Sequence, residues 1–347
     1  MMLPQSYRAL ILKQSPISDS DSQVYHDVDL VKRPLDGTLL PGEVLIKILA
    51  VAFNHRDLWI RKGMYPGISF DSILGADAVG IVVSSAQNSD SLLNKRVFLM
   101  PMRGWLSSPD GPESKFGILG GCKFPALGAF SEYLKVERNQ VLEVPNHLEI
   151  HHAAAWPLAG LTAWRAVSVN AGLKKGDSAF ITGIGGGVAL LAMQICVAKG
   201  VNVYVSSSSD QKIQKAMEIG AKGGVNYRSD KWHDDLGKLL LKRGEILTAI
   251  IDSGGGDLFK QVGHLLKPGG RLVCYGMTAT PKITFTMREV IKGQRLLGSS
   301  MGSQEDMKNA TLFIEEHKIK PVVSVVLDDL DKFEEGFDLM KNNVDCN

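Results

Sequence analysis

The sequence is short of everything that marks a secreted, membrane-spanning or nucleic-acid-binding chain. Only four cysteines occur in 347 residues, Cys122, Cys196, Cys274 and Cys346, and no short spacing recurs among them. That pattern suits a reducing compartment and not a disulfide framework. The N-terminus from Met1 to Arg8 carries no apolar core of signal-peptide length. The longest apolar stretch, Val188 to Val197, is too short and too polar-flanked to span a bilayer. No membrane partner is therefore expected, and cytoplasm is the expected location. An excess of one charge is also missing: 39 Lys and Arg stand against 37 Asp and Glu, a net charge of +2. Without a basic stripe, nucleic acid is not an expected partner, and any anion must be held by a local site. Internal repeats and low-complexity tracts are absent apart from the short run Ser206 to Ser209.

What is present describes an ordinary globular protein, 44% hydrophobic and 22% charged, with a mean hydropathy near zero. The length exceeds one compact domain, so two domains sharing a cleft are expected. From Tyr7 to Val144, short apolar runs alternate with Gly, Pro, Asn and Asp: Arg8–Leu12, Glu43–Val51, Ala78–Val83, Arg96–Met100 and Tyr133–Val136. Such runs predict an all-β, barrel-like region with little helix. After Pro145 strand-like runs alternate with longer helical segments, the rhythm of βαβ units around a parallel sheet. The boundary is placed near residue 150.

The clearest unit begins at Ser178. Ser178–Thr182 reads as a strand, Gly183 to Gly187 as a glycine loop, and Val188–Lys199 as a helix apolar on nearly every side. Val201–Ser206 reads as the next strand, and Asp210–Ile219 as a helix with Asp210 as N-cap and Gly220 as its stop. Further strands are expected at Ala249–Asp252, Arg271–Gly276 and Arg295–Ser300, completing a doubly wound sheet. A glycine loop between strand and helix lets backbone N–H groups approach a pyrophosphate at a helix N-terminus. Gly183, Gly185 and Gly186 match the dinucleotide fingerprint, with Ile184 and Gly187 beside them, while Val188 stands where the third fingerprint glycine or alanine would be. A tight turn that binds nothing is the alternative.

Which dinucleotide is decided at the end of the second strand, where NAD-binding folds place a carboxylate on the adenosine ribose. Here Ser206, Ser207, Ser208 and Ser209 occupy that place, and Lys212 follows one helical turn later. Hydroxyls can donate to a 2′-phosphate and a lysine can neutralise it, so NADP(H) is favoured over NAD(H). An exposed loop with a solvated lysine is the competing reading.

These motifs resemble the medium-chain dehydrogenase/reductase superfamily, and within it the zinc-free quinone oxidoreductase-like and zinc-type alcohol dehydrogenase-like members. The resemblance rests on Asn54-His55-Arg56-Asp57-Leu58, Leu74-Gly75-Ala76-Asp77-Ala78-Val79-Gly80, Pro157-Leu158-Ala159-Gly160-Leu161-Thr162-Ala163, the glycine loop, Val225-Asn226-Tyr227-Arg228 and Pro268-Gly269-Gly270-Arg271. It covers nearly the whole chain. It implies an α/β protein with a GroES-like, β-rich catalytic domain, residues 1–150 and 291–347, and a Rossmann NADP(H)-binding domain, residues 151–290, with the cofactor in the cleft between them. The chain stops at Asn347, shortly before the place where relatives have a closing strand, so that strand is divergent or absent.

Zinc-dependent relatives carry a Cys ligand where this chain has Asn54, and Gly-His-Glu where it has Gly75, Ala76 and Asp77. An amide and a methyl cannot replace a thiolate and an imidazole in a tetrahedral site. The structural-zinc lobe needs four close cysteines, and Arg103 to Phe130 contains only Cys122. No metal is therefore expected. The resemblance implies that Asn54 faces the nicotinamide ribose or a substrate oxygen, with Thr162 as its partner. Asp57 is a further catalytic-loop candidate, more suited to organising backbone than to moving a proton. His55 is a less favoured proton donor. His151 and His152, at the interdomain junction, have no triad partners and read as helix-start or surface residues. Trp105, Phe116 and Phe130 could stack on a flat substrate or simply fill the core. On the cofactor side the resemblance implies Tyr227 at the adenosine half, with Ser253, Tyr275, Gly276, Met277, Gly298, Ser299 and Met301 in the nicotinamide-side segments. The function expected is NADPH-dependent hydride transfer to a quinone, enone or related activated carbonyl, in a homodimer joined through the edge strand at Arg295–Ser300. The alternative is a crystallin-like NADPH-binding protein without significant turnover.

Overall fold

The computed structural model describes residues 3–16 and 24–342. The described chain forms two compact units, one comprising the chain up to Leu158, Ser303–Glu315 and the chain from Val323 onward, the other Ala159–Gly302 and Glu316–Val322.

In the first unit β1 (Ser6–Leu12) and β2 (Val28–Pro34) pair antiparallel. A five-stranded sheet has the order β8-β3-β4-β5-β9. Its members are β3 (Glu43–Ala52), β4 (Asp77–Ser85), β5 (Arg96–Leu99), β8 (Tyr133–Glu137) and β9 (Val141–Glu143), while β6 (Met102–Arg103) and β7 (Gly117–Ile118) form a separate short ladder. Alternation explains why these runs are strands. Val44 and Ile46 from β3 join Val82, Val97, Leu99, Leu134, Val136 and Val141 in one core, leaving the intervening positions to the opposite face. Leu10, Leu12, Val28, Ile60, Leu74 and Phe130 fill a second core. Two short helices, α1 (His55–Arg61) and α2 (Ile150–Ala154), follow strands of this unit, and the chain leaves it within α3 (Pro157–Trp164).

The second unit contains β10 (Ser178–Ile181), α4 (Gly187–Ala198), β11 (Asn202–Ser207), α5 (Asp210–Ile219), β12 (Gly223–Asn226), α6 (Trp232–Arg243), β13 (Leu247–Asp252), β14 (Gly255–Gly256), α7 (Leu258–Val262), β15 (Leu266–Cys274), β16 (Thr280–Ile283), α8 (Met287–Ile291) and β17 (Arg295–Gly298). Six strands form one parallel sheet in the order β12-β11-β10-β13-β15-β17. Parallel strands covered on both faces need continuous apolar sequence, and Ala179, Phe180, Ile181, Val203, Tyr204, Val205, Ile250 and Ile251 are all fully buried. The order reverses between β10 and β13, the switch point at which open α/β sheets bind ligands. Helix α4 is apolar all round because Leu190, Leu191, Met193, Ile195 and Cys196 are buried on several sides at once.

Helices α9 (Gln304–His317) and α10 (Phe333–Lys341) follow, and their residues in the first unit complete its packing. The Trp156 indole donates to Thr311 at 3.3 Å, and Phe337 packs edge-on against Phe53 at 5.1 Å. No helix among the described residues is long and apolar enough to cross a membrane. The expected strands and both expected helices are present. Strands β2 and β9 and helix α1 are additions that the apolar pattern does not reveal. Strand β15 starts at Leu266, before the expected Arg271, because Leu266 pairs with Leu247 across a register shift. One correction concerns α5, whose N-cap is Ser209 and not Asp210: the Ser209 hydroxyl accepts the Lys212 N–H at 3.5 Å. Cys346 and the terminal stretch on which the closing strand depends lie outside the described residues.

Candidate active-site loop and dinucleotide cradle

Asn54 ends an extended segment and caps α1, with φ −128° and ψ 151°. Its own backbone N–H donates to Asp57 Oδ2 at 2.8 Å, so Asp57 satisfies one donor at the start of α1 in the manner of a capping box. The Asn54 side chain donates from Nδ2 to Asp77 Oδ2 at 2.9 Å. The other Asp77 oxygen accepts the Leu158 N–H at 3.0 Å. Asp77 opens β4 and is buried. One carboxylate thus pins the Asn54 amide to the first residues of α3.

Both acids pay for this placement electrostatically. Burial pushes the Asp77 carboxyl up to about 7, against the lowering effect of its two donors and with the Asp57 charge adding to the rise. Burial likewise pushes Asp57 up to about 6, opposed chiefly by Arg56, whose Nη1 lies 3.6 Å from Asp57 Oδ1. Arg56 is held by the carbonyls of Leu119 and Gly120 at 2.6 and 3.1 Å and lies over the Tyr65 ring. Sequence reasoning missed this role of Asp77, which it noted only as a replaced ligand position. The acid directly ahead of an apolar strand was the available signal.

The other aromatic and histidine candidates have packing partners of their own. The His55 ring packs edge-on to Trp59 at 5.6 Å. Phe130 is fully buried in the second core, and Trp105 is buried with its indole N–H on Ser108 O at 2.8 Å, so core packing accounts for both. Phe116 lies edge-on to Trp105.

In the second unit the glycine loop leaves β10 with Gly183 at φ +66° and Gly185 at φ +127°, a backbone that L side chains avoid. The Ile184 N–H donates to Ser206 O at 2.8 Å, tying the loop to β11. Gly186 caps α4 with an ordinary φ of −77°, and a Cβ there meets nothing nearer than Gly183 O at 3.8 Å. Gly187 opens the helix, followed by Val188. The protein itself therefore does not demand glycine at position 186. A cradle that keeps the space above a helix N-terminus free of side chain fits a pyrophosphate.

At the tip of β11 Ser207 is buried and its hydroxyl accepts the Ser209 N–H at 3.3 Å. Ser208 is half-buried, and Lys212 stands in the first turn of α5. Tyr227 is exposed just past β12, its N–H on Ser207 O at 3.0 Å. The structure adds an acid to this corner: Asp210, the first residue of α5, accepts the Asn226 amide at 3.0 Å. At the end of β13 the buried Asp252 carboxylate accepts the N–H groups of Gly254 and Gly255 at 3.1 and 2.8 Å, while Ser253 donates its N–H to Thr182 at 3.4 Å. The Tyr275 N–H donates to Asp252 O at 2.9 Å, and Gly276 lies against Ser253, where a Cβ would come within 3.4 Å of its carbonyl. Met277 is exposed. Gly298 ends β17, with no atom within 4 Å of where a Cβ would stand. The Ser299 N–H donates to Cys274 O at 2.8 Å, and Met301 holds φ +54°. Thr162, buried in α3, contacts Met301 Sδ at 3.8 Å. The nicotinamide-side segments proposed from sequence are thus brought together at the C-terminal ends of adjacent strands β13, β15 and β17.

The comparisons agree with this architecture. Residues 40–146 match the alcohol dehydrogenase GroES-like domain, and residues 187–316 match the zinc-binding dehydrogenase family. A zinc-type alcohol dehydrogenase-like protein, YogA, of Leptosphaeria maculans is 42% identical over 92% of both chains. An acryloyl-coenzyme A reductase of Metallosphaera sedula is 26% identical over 87% of this chain and 89% of its own. The crystal structure of a NAD-dependent alcohol dehydrogenase superposes with a TM-score of 0.83 at 27% identity, covering 98% of each chain. A two-domain oxidoreductase with a GroES-like unit and a Rossmann unit is the class defined by fold and site. The chain belongs to the medium-chain dehydrogenase/reductase superfamily.

The family's name raises zinc, and the residues at its ligand positions do not fit the metal. Asn54 offers an amide whose N–H is already turned to Asp77, and Ala76 is a buried methyl. Asp77 is the one anionic donor there, and zinc takes thiolate, imidazole and carboxylate in sets of three or four. In the lobe that holds structural zinc in relatives, a carboxylate does the organising. Glu113 accepts the N–H groups of Leu106, Ser107 and Ser108 at 2.7, 2.7 and 2.6 Å, which pulls its pKa down to about 2.

Proposed function

We propose that this oxidoreductase uses NADPH to reduce quinones, enones or related activated carbonyl compounds, without catalytic zinc. The observation that carries the reading is the Asn54–Asp77 hydrogen bond. An oriented amide in place of the zinc thiolate can donate to a developing oxyanion but cannot act as a Lewis acid. Substrates already activated by conjugation need little more than that and correct positioning. The bound nicotinamide supplies the hydride. The chain's own residues hold and orient: the 183–187 loop takes the pyrophosphate, Ser207, Ser208 and Lys212 take the 2′-phosphate, and Asn54 takes the substrate oxygen. Similarity to an acryloyl-coenzyme A reductase supports the substrate class, because an acryloyl thioester is an α,β-unsaturated carbonyl compound. The NAD-dependent structural neighbour sets the opposite expectation for the cofactor.

A panel of quinones and enones assayed with NADPH beside NADH, after chelator treatment, tests the reading. Turnover of at least one substrate that prefers NADPH and survives metal removal is expected. Loss of all activity on chelation, restored by zinc, defeats the zinc-free mechanism. Tight NADPH binding with no turnover on any substrate favours the crystallin-like alternative.

The protein acts as a homodimer in this reading, joined through β17. That strand is one of the two edges of the six-stranded sheet among the described residues, and Leu296 on it is exposed, as are Met287, Val290 and Ile291 of α8. A second copy supplies what an open apolar edge lacks.

A further inference from the structure

By sequence alone His151 and His152 take a helix-start or surface role. The structure assembles them with Glu149 into the one group of three His, Cys, Asp or Glu side chains, among the described residues, whose ligand atoms all lie within 4.8 Å of one another. We propose that Glu149, His151 and His152 form a binding site for a zinc-class divalent transition-metal ion, separate from the Asn54 loop.

The geometry is close to what the ion requires. Two donors about 2.0–2.2 Å from a tetrahedral zinc stand about 3.3–3.5 Å apart. His151 Nε2 lies 3.4 Å from Glu149 Oε2, already at that spacing. His152 Nδ1 lies 4.0 Å from the same oxygen, somewhat beyond that spacing. The two imidazole ring centroids stand 4.4 Å apart, tilted by 47°, and the three ligand atoms all lie within 4.8 Å of one another.

The backbone beneath them is fixed. Leu148 N–H donates to Pro145 O at 3.0 Å, Ala153 N–H to Glu149 O at 2.9 Å, and Ala155 N–H to His151 O at 3.1 Å. Ala153 and Ala154 bury the inner side of α2, which leaves Glu149 exposed and both histidines half-buried at the surface. Three donors therefore come from four consecutive residues whose main chain is already in place, so little ordering is needed on binding. Two imidazole nitrogens and one carboxylate oxygen select copper, nickel or zinc over magnesium or calcium, which prefer oxygen alone. Three protein ligands leave coordination positions for water or an exogenous group.

The inference stands apart from the proposed reductase activity, and it means that zinc content alone does not report on the Asn54 loop. The test is isothermal titration of the chelator-stripped full chain with zinc chloride, for wild type, His151→Ala and His152→Ala, with circular dichroism as the folding control. One saturable zinc per chain is expected, weakened about tenfold or more by either substitution, as befits loss of one of three ligands, and undisturbed by excess magnesium. Glu149→Gln, which keeps the side chain's size, should also weaken it. Absence of saturable binding to wild type, or equal affinity in the folded histidine variants, overturns the proposal.

Discussion

The Asn54 amide and the Asp77 carboxylate, 23 residues apart in sequence, meet at 2.9 Å, and through Leu158 the same acid holds the first turn of α3 at 3.0 Å. A side chain that would otherwise rotate freely at a loop end is thereby given one orientation. In the zinc-free mechanism proposed above, that orientation would turn the amide into a useful oxyanion donor.

Asn54→Ala should therefore act on turnover. A fall in kcat/KM of ~10- to 1000-fold is expected, up to the range for loss of one oriented donor, with NADPH affinity and thermal stability little changed. Steady-state kinetics on the best substrate of the panel decides it. Full activity in the variant would make Asn54 structural.

Asp77 leaves a signature in stability against pH. Its folded carboxyl is raised to about 7 from 3.8, so between those values the native state binds more protons than the unfolded chain, and stability falls as pH rises through that window. For one group the slope reaches at most about 1.4 kcal/mol per pH unit. Asp77→Asn removes the titration, so denaturant unfolding should show the variant gaining on wild type as pH goes from about 5 to about 8. A difference between the two that is constant with pH contradicts this.

The cradle is tested at Gly186. Because a Cβ there meets no protein atom closer than 3.8 Å, Gly186→Val should fold normally. Its side chain fills the space that phosphate oxygens need, and affinity for the dinucleotide should drop by more than ~2 kcal/mol, roughly 30-fold. A folded variant that binds as well as wild type would show the loop to be only a turn.

Cofactor choice is tested at Lys212. Lys212→Ala should weaken NADPH by ~1–3 kcal/mol, the value of a charge-assisted hydrogen bond, and leave NADH nearly unchanged. Asp210 supplies the counter-case, since its carboxylate sits on the same turn. Equal weakening of both cofactors, measured by fluorescence titration, refutes the 2′-phosphate assignment.

Light scattering addresses the edge strand. Leu296→Lys places a charge on β17, where Leu296 is 37% exposed, and should convert a dimer to monomers. A wild-type protein that is already monomeric at micromolar concentration removes the proposal.

The sequence by itself determined the two sheets, because strand alternation in one half and unbroken apolar runs between glycine-rich turns in the other are local signals that follow from backbone geometry. It also located the glycine loop, the serine tip of β11 and Asn54, whose identities are visible without coordinates. Only the tertiary structure decided what those side chains face. That Asn54 turns to Asp77, that Ser209 displaces Asp210 as the cap, and that Glu149, His151 and His152 bring their ligand atoms within 4.8 Å of one another are all set by packing and by which donor finds which acceptor. Such pairings cross tens of residues or hinge on a single rotamer, and neither distance in space nor direction of a side chain is written in the order of the residues.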